Sequence, residues 1–263
     1  MMGFAVLVGA YLAHPGLSFN AHSSSLLLGF LTGFSLTGAS MAINDYFDRF
    51  IDAINEPNRP IPSGAVKTWE ALAYAAVLTI IGFVAAYMTN LSSLLAAMVA
   101  WTLFSTYTVK GKRTGFLGNL MVSSCIATPF IYGGLVIDRF NPSNLLFASM
   151  AFLSNTGREV TKGIIDVAGD RTHGIKTLAV LKGERTATYM ASALYLSAVA
   201  ISPLPWIWGL VSIRYLALVA LTDLGFIASS ASLLRKPSKE NARKVKQAVL
   251  IWMLLGLIAF LVG

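Results

Sequence analysis

Asn44, Asp45, Asp48 and Asp52 crowd the end of an apolar run in the stretch Asn44–Gly64, NDYFDRFIDAINEPNRPIPSG. On a helix, Asn44, Asp48 and Asp52 stand four apart and stack along one face. Three polar heads gathered where a greasy helix ends are costly without a cation. A second stretch, Arg158–Leu178 (REVTKGIIDVAGDRTHGIKTL), echoes the first: Arg158, Lys162, Asp166 and Asp170 fall at four-residue steps after another apolar run. A shift of 118 residues sets Asn44 on Lys162, Asp48 on Asp166 and Asp52 on Asp170. One such loop alone is ordinarily a solvated surface. Two in matched places suggest a duplicated unit.

Facing carboxylate rows repel unless something positive lies between them. Magnesium is the natural occupant, being a hard ion that takes oxygen ligands from one or two carboxylates and from substrate phosphate. Neither Asp motif contains Cys or His, which argues against zinc or a redox metal. A metal beside Lys110, Arg113 and Lys176, open to a lipid-filled interior, suits a diphosphate with a long hydrocarbon tail. Metal and cations would neutralise the charge developing on the departing diphosphate. No Ser/His/Asp arrangement, nucleophilic cysteine or Gly-rich nucleotide loop competes.

Other polar residues carry two readings. Asp45 lies off the Asp48 face and either makes a structural hydrogen bond or joins the site. Lys110, Lys112 and Arg113 either serve the site or fix topology. Asp223 falls within an apolar helix, where it lines the pocket or, the favoured reading, holds two helices together. His14, His22 and His173 read as bystanders.

The elements that position these groups are membrane spans. The chain has 263 residues, 56% hydrophobic and 12% charged, with mean hydropathy +0.67; soluble domains carry about 25% charged residues. Apolar runs of spanning length predict an all-α membrane protein of nine helices, at 2–14, 24–47, 68–89, 92–109, 116–137, 143–160, 186–204, 209–234 and 245–262. Gly29 and Gly33 at GxxxG spacing favour close helix approach. Of the 20 Lys and Arg residues, all but Arg139 and Arg214 fall in the even-numbered connections. The positive-inside rule makes those cytoplasmic and puts both acidic motifs there, in a multi-pass protein of the plasma membrane. The net charge of +8 therefore points to anionic lipid or phosphate rather than nucleic acid. The single cysteine, Cys125, excludes an intrachain disulfide. The duplication implies one domain over 1–263, with repeats roughly 1–115 and 116–235 and a last helix at 245–262. A pseudo-twofold along the membrane normal would then face the acidic stripes across a cytoplasmic-side pocket.

These residues resemble the UbiA superfamily of intramembrane prenyltransferases. Asn44-Asp45-x-x-Asp48-x-x-x-Asp52 followed by Asn58-Arg59-Pro60-x-Pro62-Ser63-Gly64 is similar to its first motif, and Asp166-x-x-x-Asp170 to its second. The resemblance spans nearly the whole chain. It implies Mg²⁺-dependent transfer of an isoprenyl group from its diphosphate to an acceptor, with two ions expected and no obligatory protein partner. It carries over Asn44, Asp48, Asp52, Asp166 and Asp170 as the metal and diphosphate set, with Arg59 among the substrate-binding cations. Tyr107 and Lys110 resemble the family's tyrosine–lysine element at a spacing of three rather than four. Gly157-Arg158-Glu159-x-x-Lys162, the Asp166–Asp170 motif and Gly174-x-Lys176-Thr177-Leu178 are most similar to the archaeal digeranylgeranylglyceryl phosphate synthases, a group within the family. The Gly133-Gly134 element after Pro129 fits that group too. The acceptor implied is geranylgeranylglyceryl phosphate, whose anionic head would use Arg158, Lys162 and Lys176. Two departures stand out. Gly163 replaces an acidic residue found in many members, which is expected to weaken or alter the second metal site. The N-terminus lacks the usual Arg-Pro-x-Asn element, so either part of the acceptor pocket is missing or the start is misassigned.

Three other functions compete. An aromatic acceptor, 4-hydroxybenzoate or a naphthoate of quinone synthesis, needs only a different pocket. A transporter with parallel repeats would place its polar groups at the midplane, whereas the charge lies at one rim. A non-catalytic lipid-binding relative is disfavoured by the intact Asp pairs.

Overall fold

The computed structural model describes residues 2–18, 20–172 and 174–263, so His173 lies outside the described residues. In chain order the helices are α1 (Met2–Ala13), α2 (Ser23–Asn55), α3 (Thr68–Thr89), α4 (Leu91–Val109), α5 (Phe116–Val136), α6 (Pro142–Ile165), α7 (Val167–Thr172), α8 (Leu178–Lys182), α9 (Glu184–Ile201), α10 (Leu204–Ile207), α11 (Ile213–Arg235) and α12 (Lys239–Val262). A 3₁₀ turn, Gly111–Thr114, joins α4 to α5. Among the described residues there is no strand; this is an all-α, multi-pass membrane protein.

A helix stands at each of the nine expected places, but only seven are long and apolar enough to cross a membrane. With 12 residues, α1 reaches about 18 Å, short of a hydrocarbon core of about 30 Å. Helix α6 has the length but carries Asn144, Ser154, Asn155, Thr156, Arg158, Glu159, Thr161 and Lys162. Its polar groups bond within the protein: Asn144 donates to the Phe130 carbonyl at 2.6 Å and Asn155 to Ser123 at 3.0 Å. Thr161 and Tyr195 share a buried hydrogen bond of 3.0 Å. An apolar run of 18 residues was expected at 143–160; the helix is instead an amphipathic one with a polar seam turned inward.

Two boundaries differ by six residues or more, and a cap sets one of them. Ser238 accepts a hydrogen bond from the Asn241 N–H at 3.3 Å and starts α12 six residues before the expected 245. Lys239, Arg243 and Lys244 therefore stand on the first turns of α12 rather than in a connection. Helix α2 runs eight residues past the expected 47. Its 33 residues span about 50 Å, so its acidic end extends past the apolar segment Ser23–Phe50.

The chain divides into two compact units, residues 1–109 with 132–139, and residues 110–131 with 140–263. In the first, α2 packs on α1, α3 and α4. A Cβ on Gly29 would strike Val136, and one on Gly133 would strike the backbone of α1. These glycines permit close helix approach, the use expected of the GxxxG spacing. Asn90 ties the end of α5 to this unit, donating to the Leu135 carbonyl at 2.8 Å. In the second, α6, α9, α11 and α12 enclose a core of Val160, Ile164, Tyr195, Phe226, Leu233 and Val249. Helix α12 is an integral part of it, packed on α6 and α11.

Candidate active site

Both acidic motifs sit at the C-terminal ends of long helices. That end carries a partial negative charge confined to about the last turn. Asp52 in the last turn of α2 and Asp166 at the C-cap of α6 are therefore disfavoured by roughly 0.3–1 kcal/mol, whereas Asp170 stands in the first turn of α7. The last turn of α2 offers no basic residue in compensation. Acid placed against the dipole points to a cation supplied from outside the helix.

In the first unit part of that cation comes from Arg59. Its Nη1 lies 2.9 Å from Asp52 Oδ2 and 3.4 Å from Asp45 Oδ1, and its Nε donates to Glu56 Oε2 at 2.6 Å. Asp45 and Asp52 are seven apart, two turns, so they share a face. Asp52 is buried. The Glu56 hydrogen bond raises the Arg59 pKa above its already high ordinary value; burial opposes it, and the charges of Asp52, Glu56 and Asp45 add to the rise. Asn44 Nδ2 donates to Asp48 Oδ2 at 2.8 Å, confirming that those two share a face. Asn44 with Asp48 forms one hydrogen-bonded group along the helix, and Asp45 with Asp52 on Arg59 forms a second. Glu56, which the sequence reading passed over, belongs to the second; its spacing of four from Asp52 was the available signal.

In the second unit the helix breaks within the motif. Asp166 caps α6, its N–H bonded to the Lys162 carbonyl, and its side chain is exposed. The Asp170 N–H bonds to the Asp166 carbonyl at 2.8 Å and the Ile175 N–H to the Asp170 carbonyl at 2.8 Å, so a tight turn holds the two acids in sequence. Upstream, Arg158 Nη1 meets Glu159 Oε1 at 2.9 Å and Lys162 Nζ lies 4.0 Å from Glu159 Oε2. Glu159, quoted above only as a residue of the Gly157–Lys162 motif and given no role there, is the carboxylate both cations meet. Gly163 is buried, with Thr177 3.6 Å from where its Cβ would stand.

Gly115 has φ +67°, and a Cβ there would overlap the Lys176 carbonyl. The Lys110–Thr114 turn is thereby docked on Lys176–Thr177, which brings Lys110, Arg113 and Lys176 into neighbouring connections of one unit. Tyr107 lies half-buried in the last turns of α4, ahead of that turn. Asp223 accepts from Ser202 Oγ at 2.6 Å, and the Ser202 carbonyl accepts from Tyr215 at 2.7 Å. It therefore links α11 to the end of α9, the structural role favoured above. His14 and His22 flank the α1–α2 connection.

Among the described residues no three His, Cys, Asp or Glu side chains converge tightly enough to hold a metal unaided. The donors are all oxygens, and a guanidinium already collects two of the carboxylates. That set fits a hard ion completing its shell with phosphate oxygens and water, as Mg²⁺ does.

Comparison with known proteins agrees with the all-helical fold. The UbiA prenyltransferase family matches over residues 2–262. A digeranylgeranylglyceryl phosphate synthase of Archaeoglobus fulgidus is 37% identical, over 100% of this chain and 90% of that protein. A solved structure of a digeranylgeranylglyceryl phosphate synthase in membranes is 32% identical and superposes with TM-score 0.84, covering 100% of this chain and 92% of that one. A more distant UbiA homologue from Archaeoglobus fulgidus, solved with geranyl diphosphate and Mg²⁺, shares the fold at TM-score 0.64 and 16% identity over 99% of this chain and 96% of that one. The chain belongs to the UbiA prenyltransferase family.

Proposed function

We propose that this prenyltransferase moves a geranylgeranyl group from its diphosphate to the free hydroxyl of geranylgeranylglyceryl phosphate, making an archaeal ether lipid. The observation that carries this reading is end-to-end likeness to a protein named for that reaction, with both acidic motifs present. In this reading Asn44, Asp48, Asp52, Asp166 and Asp170 hold the donor's diphosphate through Mg²⁺, two ions being the expected number, and Asp45 shares in the first group. Bound Mg²⁺ would stabilise negative charge on the departing diphosphate. Arg59, Lys110 and Arg113 steady the diphosphate oxygens, with Tyr107 beside Lys110. Arg158, Lys162 and Lys176 take the acceptor's phosphate.

The allylic C–O bond breaks and its electron pair leaves with the diphosphate. The acceptor oxygen then bonds to the allylic carbon and sheds its proton. Resonance stabilises the allylic cation, so the chain's work is to hold, orient and exclude water. In the same reading α1 and α6 complete nine spans, the 118-residue repeat makes one domain, and the acids face the cytoplasm.

Purified protein given radiolabelled geranylgeranyl diphosphate with geranylgeranylglyceryl phosphate and 4-hydroxybenzoate in competition should label only the ether lipid. Label on the aromatic alone would overturn the acceptor assignment. Solute uptake into proteoliposomes without prenyl product would favour transport instead.

A further inference from the structure

Three ionic side chains on α6 form a unit that the acidic motifs do not require. Arg158 and Glu159 are sequence neighbours, and such neighbours do not face each other on a helix. Even so the Arg158 side chain curls across to bring Nη1 within 2.9 Å of Glu159 Oε1. The other oxygen, Oε2, looks to Lys162 Nζ at 4.0 Å. One carboxylate therefore holds two cations, one on each oxygen. Glu159 is 14% exposed, Arg158 22% and Lys162 52%, which grades the cluster from buried to open.

The cluster has a formal charge of +1, and Arg158 Nε is buried with no hydrogen-bond partner. A buried guanidinium N–H without an acceptor carries an uncompensated desolvation cost. Native structures tolerate such a group where a ligand satisfies it. The geometry points to Glu159 as a positioning residue that sets Arg158 and Lys162 to receive the phosphate of the acceptor lipid, with Arg158 Nε as one of the donors. This deepens the proposed function and rests on it. A phosphate monoester presents several acceptor oxygens and up to two negative charges, which the fork of Arg158 and the point charge of Lys162 complement in different ways.

Removing the carboxylate would change net charge as well as position, so the test uses variants that keep every charge. Arg158→Lys withdraws Nε–H. Glu159→Asp draws the carboxylate back by one methylene. Each is assayed with geranylgeranylglyceryl phosphate and with its phosphate-free counterpart, geranylgeranylglycerol, and thermal unfolding in detergent confirms folding. The ratio of kcat/KM for the phosphorylated over the phosphate-free acceptor should fall about tenfold in Arg158→Lys and severalfold in Glu159→Asp. KM for geranylgeranyl diphosphate should hold steady. If either variant fails to fold, the other still decides.

An unchanged ratio in a folded variant, with wild type using the phosphorylated lipid, overturns this inference alone. A rise in KM for geranylgeranyl diphosphate instead moves these cations to the donor and also overturns it. Wild type that ignores the phosphorylated lipid overturns the proposed function and this inference together.

Discussion

The two motif regions look alike as strings and differ as chemistry. From Asn44 to Arg59 there are four acids and two bases; from Arg158 to Lys176 there are three acids and four bases. At the end of α2 the helix is unbroken, and Asp45, Asp52 and Glu56 converge on one guanidinium. At the end of α6 the helix stops at Asp166, and the preceding turns carry cations divided by a carboxylate. The surplus of acid suits the first region to metal. The surplus of base suits the second to phosphate as well as metal. A shared four-residue spacing thus carries two different balances of charge.

The comparison can be tested from either end. Substituting Asp48 or Asp166 with Ala should lower kcat for diphosphate release by about 10²–10³-fold or more, the scale of losing a principal electrostatic group. Turnover that survives either change removes that region from metal binding. Chelating Mg²⁺ should abolish product and restoring it should recover product, since the donor's diphosphate is held through the ion.

Gly115→Ala is expected to reduce stability by about 2–4 kcal/mol, combining a left-handed backbone with overlap on the Lys176 carbonyl. Thermal unfolding of the purified variant checks it; an unchanged midpoint would show that the Lys110–Thr114 turn is not docked there.

Arg59→Ala should weaken geranylgeranyl diphosphate use by about tenfold in kcat/KM, since a charged hydrogen bond is worth about 1.5–3 kcal/mol and part of it is already spent on Asp52 and Glu56. A loss matching that of Asp48→Ala would mean that the guanidinium, not the metal, is the main counter-charge. Asp223→Asn has the smallest expected effect: activity within about twofold, and a stability cost of about 1 kcal/mol from the weakened Ser202 bond. Loss of activity without loss of stability would bring Asp223 into the site.

Much of this was legible in the residues. Period and apolarity placed nine helices, and Asn44 with Asp48 does share a face. What hydropathy could not see is that α6 reads as a span through Leu145, Leu146 and Phe147 yet buries Asn155, Thr156 and Thr161 against its neighbours. A run average cannot tell an inward polar seam from an outward one. Capping by Ser238 moved three cations, Lys239, Arg243 and Lys244, from a connection onto α12, because a helix begins where its first N–H groups find partners, whatever the hydropathy. Spacing could have signalled Glu56, four residues after Asp52, whereas the role of Glu159 depends on a curled contact with its neighbour Arg158 that spacing does not reveal.

The account stands on the two acidic groups serving one reaction. Activities of Asp48→Asn, Asp166→Asn and the double variant, measured as kcat/KM for geranylgeranyl diphosphate, address it most directly. Groups that act as one unit are non-additive, so the double variant should fall little below the worse single variant. Losses that multiply would show two independent contributions and contradict the account.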